Sequence, residues 1–355
     1  MGEATATATV EAPLSSWVVE MEKTIGEMKI DPAAEMARWK RHSIYRVPER
    51  IKNLHNSKAY QPELVSLGPF HHGDPELLPM EEHKRRAVVH LVKRSGGCCG
   101  TSWPPWRRWR SSCRTRKDLG DEWRGGAGEG RDRFVQLMVT DGCFLVEAMR
   151  MDALRGKVHE EYAPNDPVFS KYGYLYLWNY IQSDMVVVEN QLPLLLQRIL
   201  VVLDHHKYQN ASRVSRLVLD SLCPWRRHLV GINHLGLHPL DILYTSLTHG
   251  DHQERTGSTA YVMPSAMEIY ESGIHFRVSD TDSLLDVDDR TEKKFLNLMA
   301  FERLHPGAGN DVTAYVIFMD NIISSAKDVA LLRSKNIIEC GLGSDEEVAK
   351  LPTTH

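Results

Sequence analysis

The apolar and polar positions of this chain form their densest pattern over residues 181–203, which read IQSDMVVVENQLPLLLQRILVVL. Two apolar segments, Met185–Val188 and Leu192–Leu203, flank the polar triplet Glu189–Asn190–Gln191. Pro193 lacks a backbone N–H and suits the first turn of a second helix, for which Asn190 is the expected cap. The pattern predicts two helices that meet at the triplet and lie at the centre of a large folded core.

Helical periodicity recurs along much of the remaining chain. Ser265 with Glu268 and Ser344 with Glu347 have the spacing of capping boxes, which mark the first turn of a helix. Residues 205–257 contain Gly, His and Pro, and we interpret them as a loop with short helical pieces. Apolar residues spaced three and four apart predict amphipathic helices at 17–28, 31–39, from Pro79 onward, 175–188, 192–203, 264–273, 291–304, 311–323, 325–334 and 134–151, the last interrupted near Asp141–Gly142.

One short region has the periodicity of a strand. Apolar and polar residues alternate from Ile274 to Val278, as in a strand that is buried on one face. Residues 284–287 follow a turn and predict the second strand of a hairpin. The predicted fold is therefore mainly α: a single large helical domain with a small antiparallel β hairpin insert. We expect this domain to span residues 31–351, after an N-terminal tail with a short helix at 1–30.

Composition and charge are typical of a soluble globular protein, with 42% hydrophobic and 25% charged residues. The net charge of −4 argues against nucleic-acid binding, which needs a basic face. None of the six cysteines forms a CxxC pair, so we expect reduced thiols in a cytosolic setting and no zinc knuckle. Asp184, Glu189 and Arg198 interrupt the apolar centre, which argues against a membrane span there.

The residues that most resemble a chemical site lie between positions 71 and 83. Imidazole and carboxylate groups are ligand types of zinc and iron, and they occur here as His71, His72, Asp74, Glu76, Glu81, Glu82 and His83. Glycine and proline at positions 68, 69 and 73 instead favour a tight structural turn, and no HExxH spacing is present. We therefore assign no metal ligand, and keep a metal-dependent enzyme that uses the His71/His72 region as an alternative.

Three further candidates have a structural and a functional interpretation. The polar triplet lies inside the most apolar stretch, so its groups either reach solvent or are fully hydrogen-bonded. We favour a triplet that caps the following helix and holds a neighbouring loop; the alternative is a recognition groove. Cys143 is expected to be a buried thiol, and His238, next to Pro239, a loop histidine. The chain has no nucleophile elbow and no P-loop, so we assign no catalytic residue and no cofactor.

Seven blocks, taken in order, resemble one plant family, the domain of unknown function 247. They are IYRVP (44–48), AYQPELVSLGPFHHG (59–73), MEEHKRR (80–86), DGCFLVE (141–147), VVENQLP (187–193), PSAMEIYESGIHF (264–276) and FLNLMAFERLHPGAGNDVTAYVIFMDNII (295–323). The resemblance implies a plant-specific protein without established catalytic residues. Similar proteins usually end in a single transmembrane helix, and some grass members are associated with self-incompatibility between pollen and stigma.

The resemblance indicates a non-enzymatic recognition or signalling protein that acts through contacts with an unknown protein partner. No nucleic acid, small-molecule substrate or cofactor is expected. The positions of these blocks with an expected structural or binding role are Tyr45, Pro48, Pro69, His71, His72, Gly73, Glu81, Lys84, Asp141, Gly142, Cys143, Glu189, Asn190, Gln191 and Pro193.

The chain departs from the family pattern in three places. Residues 96–130 are rich in Gly, Trp and Arg where relatives have a regular amphipathic helix, and a shift of the reading frame would explain this segment. A β segment of relatives is missing after Val287, and the chain ends at His355 where relatives continue into the membrane anchor. We expect a cytoplasmic location, or the plasma membrane if an anchor is present, and keep a degenerate non-functional paralogue as a further alternative.

Overall fold

The chain divides into two compact units, residues 1–41 and 42–355. The first contains α1 (Ser16–Glu27) and α2 (Pro32–Trp39), both predicted from the sequence. Asp31 accepts a hydrogen bond from the Ala33 N–H at 3.0 Å and so caps α2. The computed structural model describes residues 16–27, 31–40, 42–54, 56–94, 123, 129–157, 161–194, 211–223, 236–248, 263–278, 285–288, 290–341 and 344–350.

The second unit is mainly helical, as predicted. Its described helices are α3 (Glu49–Lys52), α4 (Pro79–Arg94), α5 (Glu129–Ala153), α6 (Lys171–Met185), α7 (Ala211–Leu222), α8 (Pro239–Thr248), α9 (Ala266–Glu271), α10 (Thr291–Leu304), α11 (Asp311–Ile322), α12 (Ala326–Ser334) and α13 (Asp345–Val348). Helix α4 packs along α5, α7 packs on α8 and α5, and α10 packs on α11 and on a short 3-10 helix, Ser57–Tyr60.

The apolar centre of the sequence lies inside the core of this unit, as predicted. Helix α6 ends at Met185, and the turn after it carries side chains that are fully buried: Val187, Val188, Leu192 and Leu194. Most of the second predicted helix, from residue 195 onward, lies outside the described residues. A second, smaller apolar cluster joins α9, α11, α12 and α13 through Ala266, Ile322, Val329, Leu332, Ile338 and Val348.

The predicted antiparallel hairpin is wrong. Residues 274–278 belong to no helix or strand. Strand β1 (Leu285–Val287) pairs in parallel with β2 (Ile338–Cys340), with Leu285 opposite Ile338. A parallel pair needs a long crossover connection, and here α10, α11 and α12 supply it. Alternation of apolar and polar residues is a local pattern, so it could not indicate that the partner of β1 is a strand about 50 residues later in the sequence.

Two helical predictions also need correction. Helix α5 is continuous through Asp141 and Gly142, where we expected an interruption. The Asp141 carboxylate binds groups outside its own helix, so it does not compete for the helix backbone. Residues 205–257, predicted as a loop with short helical pieces, contain two helices of 12 and 10 residues, α7 and α8. The buried residues Val214, Val218 and Leu222 lie along one face of α7, which explains why this helix forms.

Most of the aberrant segment 96–130 lies outside the described residues, so its origin stays a prediction. Trp123 is described, and its ring centroid lies 5.9 Å from that of Phe134 on α5. Within the described ranges, every helix is too short or too polar to cross a membrane.

Candidate functional site

The side chain of Asn190 is fully buried and bound to the backbone of a distant segment. Its Oδ1 accepts a hydrogen bond from the Leu67 N–H at 2.6 Å. Its Nδ2 donates to the carbonyl oxygens of Val65 and Asp184, both at 3.0 Å. Asn190 therefore holds the neighbouring loop, as we interpreted. The second part of that interpretation, a cap on the following helix, concerns a helix that lies mostly outside the described residues.

Gln191 joins the end of α6 to the start of α8. Its Nε2 donates to the carbonyl oxygens of Met185 and Val187, both at 2.7 Å. Its Oε1 accepts from the Leu240 N–H at 3.0 Å and so satisfies an otherwise unpaired donor in the first turn of α8. The side chain faces backbone groups inside the core instead of a groove.

Glu189 is the charged member of the triplet and is also buried. Its carboxylate accepts from the Val47 N–H at 2.7 Å and from Lys52 Nζ at 3.0 Å. The Nε2 atom of His71 lies 3.5 Å from Glu189 Oε2. Burial raises the pKa of Glu189, but the His71, Lys52 and Val47 donors outweigh burial and hold the pKa below its usual range.

Asp184, at the end of α6, binds three successive backbone N–H groups. The N–H groups of Glu63, Leu64 and Val65 each donate to its carboxylate at 2.8 Å. Lys293 Nζ of α10 lies 3.4 Å from Oδ1. Burial raises the pKa of Asp184, and the Lys293 charge and the three N–H donors oppose this effect. The sequence singled out Asp184 only as a break in an apolar run, so its role was missed.

Lys84 of α4 is fully buried beside two carboxylates. Its Nζ donates to Glu81 Oε1 at 2.6 Å and lies 2.8 Å from Asp141 Oδ1 on α5. Asp141 Oδ2 in turn accepts from the Gly68 N–H at 2.8 Å. Burial raises the pKa of Asp141, and the Lys84 ammonium opposes this effect. The group joins α4 and α5 to the backbone around Ser66 and Gly68.

Lys84 Nζ also donates to Ser66 Oγ at 3.0 Å, a distance that a Ser–Lys nucleophile pair would show. Lys84 Nζ, however, lies 2.6 Å from the Glu81 carboxylate and 2.8 Å from the Asp141 carboxylate, which is the arrangement of a buried ion pair. The Ser66 side chain is buried, so a substrate could not reach it without movement of the segment. This geometry therefore supports a structural role for the pair.

Asp184, Asn190, Asp141 and Lys84 all hold the segment Glu63–His71, which we call the extended segment. The backbone N–H groups of residues 63, 64, 65, 67 and 68 each donate to a side-chain oxygen of Asp184, Asn190 or Asp141. Buried N–H groups are normally paired within sheets or helices. Here side chains from α5, α6 and the triplet take the place of a neighbouring strand.

The bend in this segment requires glycine. Gly68 has a φ angle of +83°, which residues with a side chain rarely adopt. A Cβ atom at Gly68 would also lie 3.2 Å from the carbonyl oxygen of Gln191. Gly73 has a φ angle of +88° in the turn that follows, while Pro69 is buried between the two. The tight structural turn predicted around the paired histidines is therefore present.

The side chains of the alternative metal site do not converge. His71 faces Glu189, whereas His72 is exposed, with its ring centroid 5.9 Å from that of Trp123. Glu81 binds Lys84, and His83 Nδ1 lies 2.9 Å from the Arg86 guanidinium. In the part of the chain that the structure describes, no three His, Cys, Asp or Glu side chains are placed to hold a metal ion. This geometry contradicts the metal hypothesis for the His71/His72 region.

The remaining predicted positions lie apart from the network. Pro48 precedes α3, and Gly142 and Cys143 lie inside α5, where Cys143 is a buried thiol as expected. Burial raises the pKa of the Cys143 thiol, which keeps it protonated. Pro193 is buried in the turn after the triplet.

Tyr45 and His238 belong to a separate aromatic cluster. The Tyr45 hydroxyl contacts Nδ1 of His305, and the ring of His305 stacks on that of Phe301. His238 lies in the loop before α8, as predicted, but is fully buried, and its ring meets those of Tyr45 and Phe301 edge to face. Its Nδ1 accepts from the Asp241 N–H at 3.1 Å, so it caps α8. The position before Pro239 was the available signal for this cap.

Asn297 of α10 is another residue that the sequence did not single out. Its Oδ1 accepts from the Val188 N–H at 2.8 Å, and its Nδ2 donates to the Ala59 carbonyl oxygen at 2.7 Å. It is fully buried between Leu296 and Leu298 in the sequence. A polar residue inside an apolar run was the signal that could have identified it.

Comparisons with known proteins agree with the family resemblance. The sequence model of a family described as "plant protein of unknown function", the domain of unknown function 247, matches residues 44–354. The UPF0481 protein At3g47200 of Arabidopsis thaliana is 27% identical over 358 residues, which cover 86% of this chain and 71% of that protein. The putative UPF0481 protein At3g02645 of the same plant is 20% identical, over 94% of this chain and 81% of its own length. No solved structure matches the chain. Because the match spans nearly the whole second unit, this chain belongs to the plant family of domain of unknown function 247.

Proposed function

We propose that this protein is a non-enzymatic recognition protein that binds a protein partner through the outward face of α6. Four large side chains there carry the proposal: Tyr172, Leu175, Tyr176 and Tyr180 are 67%, 58%, 72% and 50% exposed. Their spacing of three and four residues places them on one face of the helix. Tyrosine is enriched at protein interfaces and among the residues that dominate binding energy.

The opposite side of α6 supports this role, because it fixes the helix in place. Trp178 and Ile181 are buried in the core, and the carboxylate of Asp184 binds the extended segment. A surface that is already ordered loses less conformational entropy when a partner binds. The outward face of α6 is thus suited to recognition without a conformational change.

The buried carboxylates of the core support the same proposal. Glu189, Asp184 and Asp141 direct their oxygens to backbone N–H groups inside the protein. These carboxylates therefore stabilise the fold, which is consistent with a protein that is not an enzyme. We place this activity in recognition between plant cells, the setting that the grass members of the family imply. A cytoplasmic location stays a prediction.

The test begins with a photo-crosslinking amino acid at position 175 of the full chain, used in plant extract to identify a partner. Binding of that purified partner is then measured for the Tyr172→Ala and Leu175→Ala variants. We expect each variant to bind about tenfold more weakly or worse, as for truncated hot-spot residues.

The matched controls are Leu78→Ala and Val89→Ala, which shorten exposed apolar side chains away from α6. Both should bind within about twofold of the unmodified protein. Equal affinity of all four variants, or equal losses at α6 and at the controls, would contradict the proposal.

A further inference from the structure

A polar cleft opens beside α6, between that helix, the 3-10 helix Ser57–Tyr60 and the start of α10. Its volume is about 460 Å³. Pockets that hold small molecules usually measure roughly 300–1,000 Å³. Three segments that are far apart in sequence form its walls, near residues 56–63, 176–183 and 288–293. The cleft is therefore a product of the fold and not of one local turn.

The fixed charges of the cleft are balanced. Three cationic and three anionic side chains line it: Lys58, Arg290, Lys293, Glu63, Asp288 and Glu292. Arg290 Nε lies 2.9 Å from Asp288 Oδ2, and Lys293 Nζ lies 2.8 Å from Glu63 Oε1. A balanced lining produces little net field to attract a phosphate or another polyanion.

The cleft also has polar groups available to a ligand. The ammonium of Lys58, the amide of Asn179 and the carboxylate of Glu292 form no hydrogen bond with any residue that the structure describes. Tyr176 and Tyr180, one helical turn apart on α6, line the same cleft with their rings largely exposed. The lining therefore offers donors, acceptors and two flat aromatic surfaces.

We propose that this cleft binds a neutral, polyhydroxylated ligand, namely a short oligosaccharide. A sugar ring has an apolar C–H face that can pack on tyrosine and hydroxyl groups that both donate and accept hydrogen bonds. The Asn179 amide and the Glu292 carboxylate match such hydroxyls, and the balanced charges suit an uncharged ligand. The inference goes beyond the proposed function, since it needs no protein partner.

A bound peptide fits these walls less well. Addition of a peptide strand needs an open sheet edge, and a docked helix needs an apolar groove. The walls are α6, a 3-10 helix and the first turn of α10, and the side chains that line the cleft are mostly polar. The chemistry of the cleft therefore favours a sugar over a peptide segment.

The experiment measures binding of cellohexaose, xylohexaose and mannohexaose to the full chain by titration calorimetry and saturation-transfer NMR. Trigalacturonic acid serves as the anionic comparator. We expect at least one neutral oligosaccharide to bind with a Kd of about 1 mM or lower. Tyr176→Ala and Asn179→Ala should each weaken that binding about tenfold.

The matched control is Tyr172→Ala, which removes an exposed tyrosine one turn away on α6 that does not line the cleft. It should leave the affinity for the sugar within about twofold of that of the unmodified protein, while it weakens binding of the protein partner of the proposed function. Circular dichroism confirms that each variant is folded. The inference would be overturned if none of the three neutral oligosaccharides bound at about 10 mM, or if the anionic comparator bound more tightly than they do. Equal losses of sugar affinity in the Tyr172→Ala and Tyr176→Ala variants would also overturn it.

Discussion

At the residue scale, Asp184, Asn190 and Asp141 place side-chain oxygens on backbone N–H groups of the same extended segment. A hydrogen bond to a charged group contributes about 1.5–3 kcal/mol net, and a neutral one about 0.5–1.5 kcal/mol. Removal of any of these oxygens leaves a buried N–H without a partner, which costs about 1–3 kcal/mol. Their contribution to the stability of the fold is therefore sufficient to explain why polar and charged side chains lie in this apolar core.

His238 differs from these residues because its interactions favour the neutral form. Burial lowers its pKa to about 3, with smaller contributions from His305 and His42. Its Nδ1 accepts a hydrogen bond, and its buried Nε2 has no hydrogen-bond partner among the residues that the structure describes. An unfolded chain would hold the same imidazole in water with a pKa of about 6.5. Folding and protonation of this residue therefore oppose each other.

We predict that the free energy of unfolding falls as the pH decreases below about 6.5. In that range the unfolded chain binds a proton at His238 and the native protein does not. One pH unit in this range costs about 1.4 kcal/mol, so about 2 kcal/mol is lost at pH 5. His238→Asn keeps an acceptor for the Asp241 N–H but cannot titrate, so it should lack this part of the pH dependence.

The measurement is urea unfolding of both proteins between pH 7.5 and pH 5, above the range in which exposed carboxylates titrate. The buried carboxylates are the same in both proteins, so the difference between the two pH profiles reports on His238. His72→Asn, at an exposed histidine, is the control and should keep the pH dependence of the unmodified protein. The same slope in the His238→Asn variant and in the unmodified protein would show that His238 is not the source.

At the element scale, the contact between α4 and α5 includes the buried pair of Lys84 and Asp141. We predict that Lys84→Met lowers the free energy of unfolding by about 3–5 kcal/mol, because it leaves the Asp141 carboxylate buried without its cation. Asp141→Asn in the same chain removes that charge and keeps an oxygen for the Gly68 N–H. The loss in free energy of unfolding of the double variant should therefore be at least about 1 kcal/mol smaller than the sum of the losses of the two single variants.

A double-mutant cycle by urea unfolding measures this coupling. Arg85→Met is the matched control, since Arg85 is exposed on the same helix. It should change the free energy of unfolding by no more than about 0.5 kcal/mol. If the double variant loses as much free energy of unfolding as the two single variants together, Lys84 and Asp141 are not coupled.

Much of the element content could be predicted from the sequence, because helices depend on local periodicity. The capping box of Ser265 and Glu268 is present at the start of α9, and Gly273 follows that helix with a φ angle of +85°. Helix α7 was predicted only as an unplaced short helical piece because its neighbours are rich in Gly, His and Pro, although its own apolar face is regular. The pairing of β1 with β2 could not be found, because β2 lies beyond three intervening helices.

The same distinction holds for the candidate site. The need to satisfy the polar groups of Asn190 was evident from its apolar surroundings, but its partner Leu67 lies 123 positions away. The Asn297 amide binds the Ala59 carbonyl oxygen over a separation of 238 residues. Periodicity identifies which face of a helix is buried, but it does not say which distant backbone group a buried polar side chain will meet.

At the scale of the whole molecule, the buried core lies within residues 42–355. The large apolar cluster runs from Ile44 to Val316, and the smaller one joins α9, α11, α12 and α13. In the first unit, the residues of α1 and α2 whose side chains are described are exposed. The described part of residues 1–41 thus contributes no buried apolar residue to either cluster.

We predict that a protein comprising residues 42–355 folds by itself and unfolds in one cooperative transition. Its Tm should lie within about 2–4 °C of that of the full chain, which corresponds to a change of about 1 kcal/mol in a large domain. Differential scanning calorimetry of both proteins measures this, and agreement of the calorimetric and van't Hoff enthalpies tests cooperativity. The alternative of a degenerate paralogue predicts instead a gradual transition without a defined Tm, because loss of a core helix would remove more than the roughly 5–15 kcal/mol by which a domain is stable.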